Sequence, residues 1–294
     1  MSGPVELPRP RTWRALVGLA LEEDVGPGDV TSALVIGRDE IGHAVIEARE
    51  PLVVCGLPVA AAVLTQVDPT LRCEIRSEEG RVVEVGEALA HVSGPLGSLL
   101  TGERTALNFL MRMCGVATFT RRFVEAVADT PACIVDTRKT LPGWRVLDKY
   151  ATAVGGARNH RQGLFDGILL KDNHIAAAGG VELAVKAARA GAPDNLRVQV
   201  EVESAAEARA AIEAGADFLL LDNWSPDAIA ASAPGLREHA LLEASGGIDL
   251  GNVRAFAASG VARISIGALT HSAPAADVAL EVSRGASPTG GVGE

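Results

Sequence analysis

Two stretches of the chain concentrate side chains that can bind or stabilise charge. VDTRKTLPGW, residues 135–144, places Asp136, Arg138 and Lys139 directly after the apolar run ACIV, and Thr-Leu-Pro-Gly then breaks the chain. RNHRQGLFDGILLKDNHI, residues 158–175, carries Arg158, His160, Arg161, Lys171 and His174. Arg138, Lys139, His160, Arg161 and Lys171 form a cationic set suited to a small, multiply anionic ligand. Guanidinium grips carboxylate or phosphate in a planar fork, whereas ammonium acts as a compact point charge. The plainer alternative is internal ion pairing with Asp136, Asp148, Asp166 and Asp172. The chain holds four lysines, Lys139, Lys149, Lys171 and Lys186, three of them between positions 139 and 171. Either chance put them there or the site needs an ammonium that arginine does not replace.

Such residues need elements to hold them together. After Pro131, short apolar runs (CIVDT, GILLK, RVQVEV, DFLLLDN, ALLEASGG, RISIG) alternate with helix-length segments, several closing on glycine. Repeated βα units predict a parallel sheet with right-handed crossovers. Six or seven of them suggest a TIM-like α/β barrel, complete or incomplete, with an open doubly wound sheet as the structural alternative. No G-x-G-x-x-G follows a strand, against a dinucleotide-binding fold. In a barrel the strand ends meet at one mouth. There the runs deliver Arg138 and Lys139, Lys171, Glu201, Asp222, Ser245-Gly246-Gly247 and Gly267-Ala268. Glu201 and Asp222 are candidates for a magnesium–phosphate or a sugar hydroxyl, or simply for neutralising Lys171. The glycine-bearing SGG and IGA turns suit a phosphate cradle. His174 and His271 read equally well as site or structural residues.

The N-terminal part reads differently. TWRALVGLALEEDV predicts a helix capped by Thr12, with Leu16, Leu19 and Ala20 on one face. HAVIEA, RCEIRS and GRVVEVG predict strands around a helix LPVAAAVLTQV, and a long helix is expected from about Ser98 to Ala128, bent at Gly115. The fold class is therefore α/β. The 294 residues fit about two domains. A net charge of −10 disfavours nucleic acid as a partner. Cys55, Cys73, Cys114 and Cys133 lie far apart in apolar contexts, read as buried reduced thiols. With no signal peptide or membrane-length apolar run expected, the expected location is the cytoplasm.

The motifs EEDVGPGDVTS, ERTALNFL, DTRKTLPGWRVLDKYA, NHRQGLFDGILLKDNHI, LLLDN, EASGGI and IGALTH together resemble the quinolinate phosphoribosyltransferase family, from about Leu16 to Val282. The resemblance implies an N-terminal α/β-sandwich domain followed by a barrel. The expected organisation is a flexible 1–11, a sandwich over 12–110, a barrel over 111–272, a C-terminal helix at 273–284 packing back on the first domain, and a disordered 285–294. It implies that quinolinate and phosphoribosyl pyrophosphate yield nicotinate mononucleotide, pyrophosphate and carbon dioxide for NAD synthesis, with Mg²⁺ and no organic cofactor. By motif, the expected substrate ligands are Arg104, Thr137, Arg138, Lys139, His160, Arg161, Lys171, Glu201, Asp222, Ser245 to Gly247 and Ile266 to Ala268. Lys139, Lys171, Glu201 and Asp222 form the expected catalytic set, and Glu201 and Asp222 the acidic side that meets magnesium-pyrophosphate. A homodimer, or a higher assembly of it, is implied, with Arg104 completing the neighbouring site. The motif GGARNHR departs at Ala157, where another glycine is expected and a methyl would shift the next loop.

Three other readings have their own signatures. A Schiff-base barrel lyase would use Lys171 as nucleophile. A family paralogue would bind another anion without this reaction. A pure scaffold would need no paired cations and carboxylates.

Overall fold

The computed structural model describes residues 5–284. In chain order its elements begin with α1 (Arg14–Val25), α2 (Val30–Val35), β1 (Ile41–Ala48), β2 (Leu52–Val53), α3 (Leu57–Val67), β3 (Arg72–Ile75) and β4 (Val82–Val83). Then come β5 (Ala88–Pro95), α4 (Leu96–Ala126), β6 (Cys133–Val135), α5 (Arg145–Val154), β7 (Ile168–Leu170), α6 (Asp172–Ala178), α7 (Val181–Gly191) and β8 (Val198–Val202). The chain continues through α8 (Ala205–Glu213), β9 (Phe218–Asp222), α9 (Pro226–Leu236), β10 (Leu241–Ser245), α10 (Val253–Ala258), β11 (Arg263–Ser265), α11 (Ala268–His271) and β12 (Val278–Arg284). Over the described residues they divide into two compact units, the first comprising 5–119, 142–155 and 273–284, the second 120–141 and 156–272.

In the first unit, β12, β1, β5 and β3 form an antiparallel sheet in that order. β1 alternates buried and open positions, so Ala44, Ile46 and Ala48 face a core shared with Val63 and Leu64 of α3 and Phe109, Leu110 and Met113 of α4. That core buries large aliphatic side chains at about 1.5–3 kcal/mol each, which is what holds the sheet to its helices. The expected cap at Thr12 is not used. Thr12 ends a short turn, its hydroxyl donates to Arg9 O, and α1 starts after Trp13. The buried stripe of α1 is Trp13, Val17 and Leu21 at helical spacing; Leu16 and Ala20 are partly buried and Leu19 is exposed. The predicted RCEIRS strand appears as β3, and GRVVEVG shortens to β4, paired with β2.

Two expectations for the chain path are corrected. Residues 273–284 contain no helix: β12 runs antiparallel to β1, with Ala44 opposite Val282, Ile46 opposite Leu280 and Ala48 opposite Val278. Val278 and Leu280, two apart, are buried on one face of this strand, while Val282 near its end is exposed. The 111–272 span is not one body either, because 142–155, including α5, belongs to the first unit. There Asp148 accepts from Arg112 Nη2 at 3.0 Å, Phe109 stacks on Trp144 with ring centres 4.7 Å apart, and Lys149 is buried. The expected tail at 285–294 and the first four residues of the expected flexible N-terminus lie outside the described residues.

Helix α4 runs unbroken through Gly115, and the glycine has a different reason from a bend. A Cβ there would stand 2.0 Å from Pro274 O and 3.0 Å from Ala275 Cα. The returning chain crosses the helix at that point, with Ala276 N donating to Met111 O. Gly115→Ala is therefore expected to cost about 3 kcal/mol by overpacking, a fall of roughly 6–12 °C in Tm. An unchanged Tm would mean that this segment does not lie against α4.

In the second unit six parallel strands follow the order β6-β11-β10-β9-β8-β7. The first strand of the series pairs with the last, Ile134 opposite Ile264, and the others follow chain order. That cyclic order belongs to a barrel and not to a doubly wound sheet, which reverses at a switch point. Arg158 adds a single bridge beside Val135 on the far side of β6. Among the described residues no strand ladder joins Arg158 to β7, so the TIM-like barrel is incomplete in its ladder. Outward residues such as Val198, Val200, Leu219, Leu221 and Ala244 are buried.

Candidate active site

Side chains alternate along a strand, so residues two apart share a face. On the inward face that rule groups Gln199 with Glu201, Leu220 with Asp222, and Glu243 with Ser245. Those carried on strand ends line one cavity of about 560 Å³ in the second unit. Arg138, Lys139, Arg161 and Lys171 supply its cationic lining, and Thr137 and His160 add a hydroxyl and an imidazole. Glu201 and Asp222 supply carboxylates, and Ser245 to Gly247 and Ile266 to Ala268 the loop backbone. Of the substrate-binding set expected from sequence, Arg104 alone does not line this cavity; it is exposed on α4 in the first unit.

The loops are fixed from within. Asp136, fully buried, accepts from His160 N at 2.7 Å and from Asn159 Nδ2 at 2.7 Å. Asp166 accepts from the Gln162 and Gly163 amides, and Arg161 Nη1 donates to Gly167 O at 3.1 Å. Those carboxylates thus serve backbone amides of the loop. Lys139 N donates to Thr137 Oγ1, and Thr270 Oγ1 donates to Lys139 O. Burial lowers the Arg161 pKa, and the positive charge of Arg138 lowers it further. Two guanidinium groups held within electrostatic reach stabilise an anion that comes between them. Ala157 is buried and does not adopt the left-handed backbone that would demand glycine, so its methyl does not deflect the loop on that ground.

The acidic side is similarly strained. Burial raises the Glu201 pKa; Lys171, 3.9 Å away, opposes this, while Asp222, Asp172 and Glu203 add to the rise. Asn223 orients Asp222 by donating from Nδ2 to Oδ2 at 2.7 Å. Asn223 itself has φ 58°, and its amide donates to Ser245 O. Gly246 answers that geometry: at φ 96°, a Cβ on it would fall 2.2 Å from Asn223 Oδ1. The Asp222-Asn223 turn and the Ser-Gly-Gly turn therefore interlock.

Sequence reasoning missed Glu243, Ser265 and Asp249, which also line the cavity, and Gln199 behind it. For Gln199, Glu243 and Ser265 the signal is the period-2 alternation inside the apolar runs; Asp249 lies in the loop after β10. His271 lines the cavity, while His174 accepts the Lys171 amide proton on Nδ1, a structural use. The cysteines are all free; Cys55 and Cys114 are buried as expected, Cys73 and Cys133 only partly. Burial pushes the Cys114 thiol up to about 12 and raises Cys55 and Cys73, so these three are not ready nucleophiles.

Residues 29–114 match the N-terminal domain of quinolinate phosphoribosyl transferase, and residues 116–281 match its C-terminal domain. The chain belongs to the quinolinate phosphoribosyltransferase family. It is 42% identical over 267 residues to the probable carboxylating nicotinate-nucleotide pyrophosphorylase of Synechocystis, covering 90% of each chain. It is 42% identical over 281 residues to the carboxylating nicotinate-nucleotide pyrophosphorylase of Homo sapiens, covering 93% of this chain and 92% of that one. The crystal structure of NadC from Streptococcus pyogenes superposes with a TM-score of 0.90 at 37% identity, over 94% of this chain and 98% of that one. The two-domain organisation of the family is thus that of this chain.

Proposed function

We propose that the protein is a quinolinate phosphoribosyltransferase. It joins quinolinate to phosphoribosyl pyrophosphate and releases pyrophosphate and carbon dioxide, giving nicotinate mononucleotide for NAD synthesis. The observation that carries this reading is the opposition, across one cavity, of a cationic lining to two carboxylates, in a chain of this family. Quinolinate carries two carboxylates, which Arg138, Arg161 and a lysine can hold separately; the substrate charge then relieves the repulsion between the guanidinium groups. The Ser245–Gly247 and Ile266–Ala268 turns offer backbone amides to the phosphates.

Glu201 and Asp222 fit a magnesium ion brought with the pyrophosphate. Magnesium keeps several waters and takes substrate oxygens beside one or two carboxylates. Among the described residues no group of three or more potential ligand side chains forms a metal cage, so a bound ion would draw ligands from the substrate as well. When present, it would neutralise charge developing on the leaving pyrophosphate.

The pyridine nitrogen attacks the anomeric carbon as the carbon–oxygen bond to pyrophosphate breaks. Glu201 and Asp222 supply negative charge toward the developing oxocarbenium, and Lys139 and Lys171 meet the leaving oxygens. The work is positioning and electrostatics, with no covalent enzyme intermediate. Glycosylation makes the ring nitrogen positive. The 2-carboxylate then leaves as carbon dioxide, its bonding pair staying at C2 until a proton replaces it. The direct test supplies quinolinate, phosphoribosyl pyrophosphate and Mg²⁺ and identifies nicotinate mononucleotide by mass. Borohydride-dependent inactivation with a carbonyl substrate, and no nucleotide, would favour a Schiff-base lyase on Lys171 instead.

The same reading includes a cytoplasmic homodimer working on small anions, with neither nucleic acid nor membrane as partner and no organic cofactor. No helix among the described residues is long and apolar enough to cross a membrane. Arg104, exposed and outside the cavity lining, is assigned to the partner's site. Arg104→Ala and Lys171→Ala subunits, each inactive alone, are expected to complement after dissociation and mixing. About half the dimers would be mixed and each would hold one intact site, returning roughly a quarter of wild-type activity. If mass analysis confirms exchange and no activity returns, Arg104 serves its own subunit.

A further inference from the structure

In the wall of the cavity, from Glu243 through Gln199 to His160, lies a polar chain that the mechanism above does not use. Glu243 of β10 is fully buried and Gln199 of β8 nearly so. Gln199 Nε2 donates to Glu243 Oε2 at 3.1 Å. Gln199 Oε1 lies 3.0 Å from His160 Nε2, and Arg161 N donates to His160 Nδ1 at 2.7 Å. Glu243 Oε1 has no hydrogen-bond partner and stands 3.5 Å from His160 Nε2. A buried carboxylate is costly to keep without a role.

The chain has one consistent direction. An ionised Glu243 only accepts, and with it the Gln199 amide turns its NH₂ toward Glu243, as Nε2 does here. Its oxygen then faces His160, which must carry its proton on Nε2. Nδ1 is left with a lone pair, the acceptor that the Arg161 amide requires. Both ring nitrogens are thereby engaged within the protein, so His160 acts at the cavity by holding the next residue.

We infer that Glu243 is a positioning residue that fixes the tautomer of His160 through Gln199 and so sets the backbone of the quinolinate-gripping Arg161. An amide at position 243 can present either its NH₂ or its oxygen, so Glu243→Gln keeps the shape of the chain and removes its direction. The histidine readout stands independently of the reaction; the kinetic readout rests on the proposed function.

The experiment uses the full-length protein labelled with ¹⁵N-histidine, with His160 assigned by a His160→Gln variant. Two-bond ¹H–¹⁵N correlations report which ring nitrogen is protonated. The wild type is expected to show His160 as the Nε2–H tautomer. Glu243→Gln is expected to populate the other tautomer, with KM for quinolinate raised about tenfold and kcat within about twofold, as the loss of one oriented hydrogen bond would do. Should Glu243→Gln not fold, Gln199→Met, which removes the linking amide, is read in the same way. A wild-type His160 protonated on Nδ1 overturns the inference, as does an unchanged tautomer in the variant that folds. A changed tautomer with unchanged KM for quinolinate removes the chain's role in positioning Arg161.

Discussion

Nicotinate should react with a kcat/KM about two to three orders of magnitude below that of quinolinate. Quinolinate brings two carboxylates to a lining in which Arg138 and Arg161 already repel one another. Nicotinate brings one, so one of the two cations gains no substrate counter-charge in a partly desolvated cavity. Stranding such a charge costs about 3–5 kcal/mol when fully buried. Arg161 is only partly buried, which favours the lower end of that range. At about 1.4 kcal/mol per factor of ten, the lower end gives the stated discrimination. Steady-state kinetics with both acids at saturating phosphoribosyl pyrophosphate will measure it. Comparable values would mean that the second carboxylate is not gripped.

Lys139→Arg and Lys171→Arg should each lose about a hundredfold in kcat/KM although the charge is kept. Lys171 reaches toward Glu201, Nζ to Oε2 at 3.9 Å, between the cationic and acidic sides of the cavity. The stem of Lys139 runs so close to Gly267 that its Cδ lies 2.8 Å from where a Cβ on that glycine would stand. A guanidinium is wider, flatter and fixed in direction, so it does not put its charge where the compact ammonium stands. Misplacing a binding charge by about an ångström is worth roughly that factor. Near-normal activity in both variants would reduce the clustering of lysines to chance.

The site was legible because its chemistry sits at the boundaries of strongly patterned elements. Most of the β-rich runs end in a polar residue, which puts Lys171, Glu201, Asp222 and Ser245 at one mouth from the sequence alone. Gln199 and Glu243 were not legible in that way. Val-Gln-Val-Glu-Val alternates as a half-solvated strand does, and only the cyclic pairing of β6 with β11 turns its polar face inward. The fold's other surprises are long-range. Val278–Arg284 becomes a strand because β1, more than two hundred residues earlier, offers it a partner edge. Gly115 looked like a bend because nothing near it in sequence reveals that Pro274 crosses above it. Residues 142–155 sit between two barrel motifs yet pack through Trp144 and Asp148 into the first unit, a choice decided by Phe109 and Arg112 on α4.

The central claim is that the cavity couples transfer of the ribose to loss of one carboxylate. Quinolinate labelled with ¹³C in its 2-carboxylate tests it most directly. One labelled carbon dioxide should be released for each nicotinate mononucleotide formed, and none in the absence of phosphoribosyl pyrophosphate, since only the glycosylated ring carries the positive nitrogen that accepts the electron pair. Release of label without phosphoribosyl pyrophosphate, or a nucleotide that keeps both carboxylates, would contradict it.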